Sequence, residues 1–193
     1  MSGDKKRLFV AVDVPMEIKE IYGSVLEKMR DRLVGARWVD PRNLHLTMKF
    51  VGPYEEERLA ELIAEVRRVV ERTPGFDVAL GSLGAFPSRS KARVIWVGLT
   101  EGKEEARKLA QKLDARLEKV GVERENRPFR GHLTLARLKR PGDCTRHLGE
   151  LERELGGLPD LDFVVDEIVV YESRLSPKGP IYIPLEHLPL GGA

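Results

Sequence analysis

The chain has little of what would tie it to an oxidising compartment, a bilayer or a tightly held metal. It contains one cysteine, Cys144, so no internal disulfide can form, and the cytosol is the expected compartment. Cys144 has no partner motif and reads as a plain structural thiol. No apolar run approaches the roughly 18 residues of a membrane helix, and the stretch from Leu8 to Val12 is shorter than a signal-peptide core. Asn and Gln together number three (Asn43, Asn126 and Gln111), while 33% of the residues are charged. That balance is the one reported for heat-adapted proteins, so a thermophilic source is expected. There is no G-x-x-x-x-G-K-[ST] loop to cradle a nucleotide phosphate. His147, followed by Glu150 and Glu154, lacks the second histidine of an H-E-x-x-H site, and His187 falls in the C-terminal tail. No metal and no cofactor are therefore expected. A net charge of +2, from 33 Lys+Arg against 31 Asp+Glu, is too small to imply wholesale polyanion binding. Any basic footprint must be local.

What is there suffices for a packed core. With 193 residues, 41% of them hydrophobic, the chain fits a single domain or two small lobes. Strands are predicted over 8–14, 36–39, 44–51, 76–83, 94–99, 132–137, 163–171 and 181–183. Helices are predicted from Pro15 to about Leu33, over 55–72, where Leu59, Leu62, Ile63, Val66, Val69 and Val70 fall on one face, over 101–120 and over 145–155. Strands and helices without regular alternation indicate an α+β fold with mainly antiparallel sheets flanked by helices.

One short repeat carries chemistry. His45-Leu46-Thr47-Met48 and His132-Leu133-Thr134-Leu135 are two copies of H-L-T-hydrophobic, each inside a strand-like segment. Side chains alternate faces in a strand, so each histidine shares a face with its threonine, about 6.6 Å along, while the leucines anchor the opposite face. A single H-L-T is ordinary strand sequence. With the histidines and threonines this chain has, two chance copies of H-x-T arise only about half a percent of the time.

Two imidazoles on facing strands suit phosphoryl displacement. Near neutrality one imidazole can take a proton from an attacking water while the other gives one to the leaving oxygen. Thr47 and Thr134 are placed to donate hydrogen bonds to the charged phosphate oxygens between them. Around the second copy lie six basic residues, Arg124, Arg127, Arg130, Arg137, Lys139 and Arg140, against one acidic residue, Glu125. Arg130 has the strand parity of His132 and Thr134 and is expected to point into the same cleft. Arg137 has the opposite parity. Trp38, Trp96, Phe9 and Phe50 are candidates for a nucleobase platform, though aromatic residues in strands are more often core.

Several segments then resemble one family, the RNA 2′,3′-cyclic phosphodiesterases, first described as 2′-5′ RNA ligases, within the two-histidine phosphoesterase superfamily. Arg7 to Pro15 resembles its opening strand and turn, Trp38 to Thr47 its first histidine motif, and Arg127 to Arg137 its second. Leu83 to Pro87 and Tyr171 to Ser176 are also similar to it. Gly131 departs from the pattern, since many members have proline before the histidine, and this predicts a looser approach to His132.

The resemblance implies a two-lobed α+β fold with approximate internal two-fold symmetry and an active cleft between the lobes, the whole of 1–193 forming one catalytic domain. It implies metal-independent hydrolysis of RNA 2′,3′-cyclic phosphate ends to 2′-phosphomonoesters. His45 would be the acid at the ribose 3′ oxygen, His132 the base, Thr47 and Thr134 the phosphate donors, and Arg137 a neighbour of the second motif. The expected partner is RNA with a cyclic phosphate end, the expected state a monomer, with no membrane association. Two other functions use the same residues. One is a 2′-5′ RNA ligase and the other a non-catalytic RNA or nucleotide-binding module, although binding alone would not require two imidazoles each paired with threonine.

Overall fold

Two runs of alternating apolar residues, each carrying one H-L-T motif, become the neighbouring central strands of a single curled sheet. The structure, a computed structural model, describes residues 4–33, 35–156, 161–177 and 179–191. In chain order the elements are β1 (Lys5–Asp13), α1 (Met16–Arg30), β2 (Ala36–Trp38), β3 (His45–Glu55), α2 (Leu59–Val70), β4 (Phe76–Phe86), β5 (Ala92–Glu101), α3 (Lys103–Leu117), β6 (His132–Gly142), α4 (Thr145–Glu154), β7 (Leu161–Val165), β8 (Glu167–Ser176) and β9 (Gly179–Pro189). The fold is α+β, as the pattern of elements indicates. Nine strands form one sheet in the order β7-β4-β5-β6-β3-β1-β8-β9, with β2 also on β6. Every pairing is antiparallel.

The helices bury one face. Ile18, Tyr22, Val25, Leu26 and Met29 of α1 recur at helical spacing and pack in the same cluster as Leu62 and Val66 of α2, Leu109 and Leu113 of α3 and Leu148 of α4. Leu46 and Leu133 belong to that cluster too. The opposite face stays free of helices. It carries a smaller cluster of Phe9, Ala11, Val169 and Tyr171, with Tyr182 against it.

Several segments run differently from the sequence pattern. Residues 163–171 do not form one strand: the chain breaks at Asp166, leaving β7 on β4 and sending β8 to β1 and β9 in the other half of the sheet. Both sides of the crossover are apolar, 163–165 and 168–171, so composition alone does not assign them to different strands. β3 runs past Val51 to Glu55 because Gly52, at φ 79°, absorbs an irregularity while Lys5–Leu8 keep pairing with it. β9 is far longer than 181–183 and contains Pro184 and Pro189, which an edge strand tolerates because no second neighbour needs their missing N–H groups.

Both motif strands contain the same defect. Val10 pairs with Lys49 and Ala11 with Thr47, so Met48 is an extra residue in β3. Ile95 pairs with Ala136 and Trp96 with Thr134, so Leu135 is extra in β6. Each bulge lies three residues after the histidine and reverses side-chain parity beyond it. In β3 it turns Lys49 into the core, where it is 2% exposed. Its Nζ there donates to Asp114 Oδ1 at 2.7 Å and to the Glu123 carbonyl at 2.6 Å.

Removing that cation leaves Asp114 without its buried counterion. Lys49→Ala is expected to lower the unfolding free energy by about 3–5 kcal/mol, measured by urea denaturation, and a loss below about 1 kcal/mol would place the stability of this bulge elsewhere.

Candidate active site

β3 and β6 touch in register at one pair, Leu46 with Leu133. The two leucines anchor the core side. One step outward along an antiparallel ladder sets His45 across from Thr134 and Thr47 across from His132, all four side chains on the helix-free face. The pair lies at an approximate two-fold centre. On either side the strand order repeats outward, β6-β5-β4-β7 on one and β3-β1-β8-β9 on the other.

The imidazoles are held alike. His45 Nδ1 lies 2.8 Å from the Asn43 carbonyl and His132 Nδ1 lies 2.7 Å from the Arg130 carbonyl, each two residues upstream. A carbonyl only accepts, so each Nδ1 carries hydrogen and each Nε2 is left for proton exchange with a ligand. Aromatic rings fix both orientations. Phe9 lies 4.8 Å and Tyr182 5.0 Å from the His45 ring centroid, and Phe86 lies 4.9 Å from that of His132. The Trp96 indole, 5.1 Å from Phe86, lies across two glycines. A Cβ at Gly84 would stand 2.2 Å from the indole, and one at Gly98 2.8 Å from it.

The surroundings break the symmetry. Asp13 is directly opposite His45, whereas Gly98 is directly opposite His132. Asp13 Oδ1 accepts from Lys19 Nζ at 2.7 Å, and that buried ammonium also donates to the Arg42 carbonyl at 3.2 Å. Beside His45 these residues, with Asn43, Tyr171, Tyr182 and His187, line a cavity of about 220 Å³. The other asymmetry follows from the paired bulges. The fifth residue after each histidine is turned onto the open face, and it is Phe50 in β3 but Arg137 in β6.

Burial is the largest influence on both histidines and holds each below the ordinary imidazole value. At His45 the Asn43 carbonyl and Asp13 act upward, and Lys19 and His132 downward. At His132 the Arg130 carbonyl acts upward and Arg137 downward. Burial, followed by Asp13 and Glu167, raises the Tyr171 hydroxyl well above the usual range, so it stays protonated. Burial likewise raises the Cys144 thiol, in keeping with a structural role.

The structure thus brings His45, Thr47, His132, Thr134 and Arg137 onto one face. Arg137 reaches it through the bulge, which sequence parity could not register. Arg130 precedes β6; its side chain is exposed, and its carbonyl is the group that engages His132. Gly131 is not a loose approach. Its carbonyl accepts from Leu99 N at 3.3 Å, and a Cβ there would lie 2.5 Å from Leu99 Cδ1. Asp13, Lys19, Tyr182 and His187 were not legible as neighbours of His45, because each arrives through long-range pairing or packing. His187 sits on β9, where its Nδ1 is 3.0 Å from Glu167 Oε1. His147 lies on α4, away from the motifs. Of the aromatic candidates, Phe9 is buried and Trp38 packs on the core, while Phe50 is 59% exposed on the open face. Among the described residues no group of three or more His, Cys, Asp or Glu is arranged to hold a metal, and no helix is long and apolar enough to cross a membrane.

By fold this is an α+β protein whose two central strands each carry an H-L-T motif. Over 96% of its length it superposes on 98% of TT0787 of Thermus thermophilus with a TM-score of 0.80 at 30% identity. It matches the E. coli protein LigT, solved with 3′-AMP, with a TM-score of 0.74 at 28% identity, covering 96% of this chain and 98% of that one. The family model described as the 2′-5′ RNA ligase superfamily matches residues 19–176, and the chain belongs to that superfamily. A Thermotoga maritima relative named RNA 2′,3′-cyclic phosphodiesterase is 32% identical over 177 residues, 91% of either chain. Such heat-adapted relatives agree with the scarcity of Asn and Gln.

The electrostatics generate a pH prediction. A general base works above its pKa and a general acid below its own, and burial holds both imidazoles low in the free protein. With a 2′,3′-cyclic mononucleotide, kcat/KM should therefore peak on the acid side of about pH 6.5. A maximum above about pH 8 would assign the limbs to other groups.

Proposed function

We propose that the protein hydrolyses 2′,3′-cyclic phosphates at RNA ends to 2′-phosphomonoesters, with His45 as acid and His132 as base. The observation that carries this reading is the Leu46–Leu133 pairing, because it gathers two imidazoles and two hydroxyls on one face in diagonal order. The name of one relative, RNA 2′,3′-cyclic phosphodiesterase, supports the reaction class, and the 3′-AMP solved with another supports a nucleotide monophosphate as ligand class.

The chemistry follows from that arrangement. Water attacks phosphorus on the His132 side and His132 Nε2 takes its proton. The P–O3′ bond breaks, and His45 Nε2–H delivers its proton to the departing 3′ oxygen. The phosphate stays on O2′. Thr47 and Thr134 donate to the non-bridging oxygens, and Arg137 adds a guanidinium. Arg130, exposed at the mouth, contributes charge to the approach of the anion. Phe50, the exposed aromatic on this face, offers a stacking surface to a base.

The direction of proton transfer rests on the broken symmetry. A carboxylate opposite His45 favours imidazolium there, while Arg137 favours neutral imidazole at His132. Ligation to a 2′-5′ linkage would put a 5′-hydroxyl in the place of water, and hydrolysis dominates unless a second RNA end is held there. The reading extends to one two-lobed catalytic unit over 1–193, acting as a cytosolic monomer without metal. The complete acid, base and donor set on one chain supports a single catalytic unit that needs no second copy.

Purified protein should convert a 2′,3′-cyclic phosphate end mainly to a 2′-phosphate, and His45→Ala or His132→Ala should lower kcat by roughly 10²-fold or more. A predominantly 3′-phosphate product would reverse the leaving-group assignment, and full turnover in either variant would end the two-histidine reading. Asp13→Asn should shift a limb of the kcat/KM profile to lower pH, since it removes the carboxylate and leaves Lys19 facing His45. Asp13→Glu should restore the limb, and an unmoved profile in Asp13→Asn would contradict the role given to this carboxylate.

A further inference from the structure

The pairing of β2 with β6 sets two like charges side by side. Arg37 is directly opposite Arg137, so the two side chains project from the same face. Both are exposed, and among the described residues neither forms an ion pair with a carboxylate. Some arginines elsewhere are matched, Arg42 with Asp40, Arg89 with Glu152 and Arg174 with Glu172. Like charges directly opposite destabilise a sheet. In a chain with 31 acidic residues for 33 basic ones, an unmatched opposed pair fits an anion supplied from outside.

Its position identifies the anion. Arg137 shares the face of His132 and Thr134 and acts on the charge of His132. β2 adjoins β6 on the side occupied by β3, displaced along β6 from the Leu133 contact to Ala136–Leu138. In the mechanism above, the ribose that bears the reacting phosphate lies on the His45 side, so the upstream strand leaves the cleft from that side.

We propose that Arg37 and Arg137 form a track for the phosphate backbone of an RNA strand, Arg137 nearest the terminal phosphate and Arg37 on the next phosphate upstream. The proposal rests on the cyclic-phosphodiesterase reading and deepens it: the track adds a subsite for the phosphate upstream of the reacting one. Each guanidinium presents a planar donor fork that matches phosphate oxygens.

The test compares wild type with Arg37→Gln on a 2′,3′-cyclic mononucleotide and on a fluorescent oligonucleotide ending in the same cyclic nucleotide. Direct binding of that oligonucleotide is followed by anisotropy across a salt series, and thermal unfolding of both proteins is recorded. The substitution should lower the ratio of kcat/KM for oligonucleotide over mononucleotide about tenfold and flatten the slope of log affinity against log salt by about 0.7, the value for one phosphate contact on a single strand. The midpoint of unfolding should not fall, because a repulsive pair has been relieved. An unchanged ratio and slope, or an equal loss on both substrates with a lower unfolding midpoint, would overturn the track. If wild type hydrolyses neither substrate, the parent reading fails, while the anisotropy slope still decides whether Arg37 meets a phosphate.

Discussion

The contact on which the site depends is apolar and small. Leu46 and Leu133 face each other across the only paired position of β3 and β6, with their side chains in the core shared by all four helices. Strand alternation then forces the residues on either side of each leucine to the other face. Each imidazole projects from the first residue of a central strand packed below by the core, and a carbonyl just before the strand orients its ring. This is the support that acid and base groups require when a small displacement costs rate.

Duplication supplies the geometry and departures from duplication supply the polarity. Both motif strands bulge at the third residue after the histidine, and both histidines donate from Nδ1 to a carbonyl two residues back. Identical surroundings would leave two imidazoles with no reason to hold different protonation states. Asp13 against Gly98 and Phe50 against Arg137 remove that equivalence. The buried Lys19 is part of the same arrangement. It holds the carboxylate and is itself satisfied by the Arg42 carbonyl, so a charged pair persists at the edge of an otherwise aromatic surface.

The sequence made the centre of the site legible and its rim largely illegible. Two copies of H-L-T in strand-like runs were enough to place His45, Thr47, His132 and Thr134 on polar faces, because a period of two is local information. Arg137 was not legible by that rule, since a bulge inserts one residue and reverses every side chain beyond it. Arg37 and Asp13 depend on which strand lies alongside, and pairing with Arg137 in one case and with His45 in the other leaves no local trace. The fold class followed from helical and strand periodicities, while the break at Asp166 did not, because β7 and β8 are both apolar and their partners lie in opposite halves of the sheet. The long β9 was obscured by its prolines, which only an edge position excuses.

The central claim is that two alike histidines hold opposite protonation states when a phosphate lies between them. The imidazole nitrogen chemical shifts of His45 and His132, followed by NMR with and without a nucleoside 2′-phosphate, test it most directly. In the free protein near neutral pH both rings should be neutral with hydrogen on Nδ1. On binding, His45 should take up a proton at Nε2 while His132 stays neutral. Protonation of His132 alone, or rings carrying hydrogen on Nε2 in the free protein, would contradict the account.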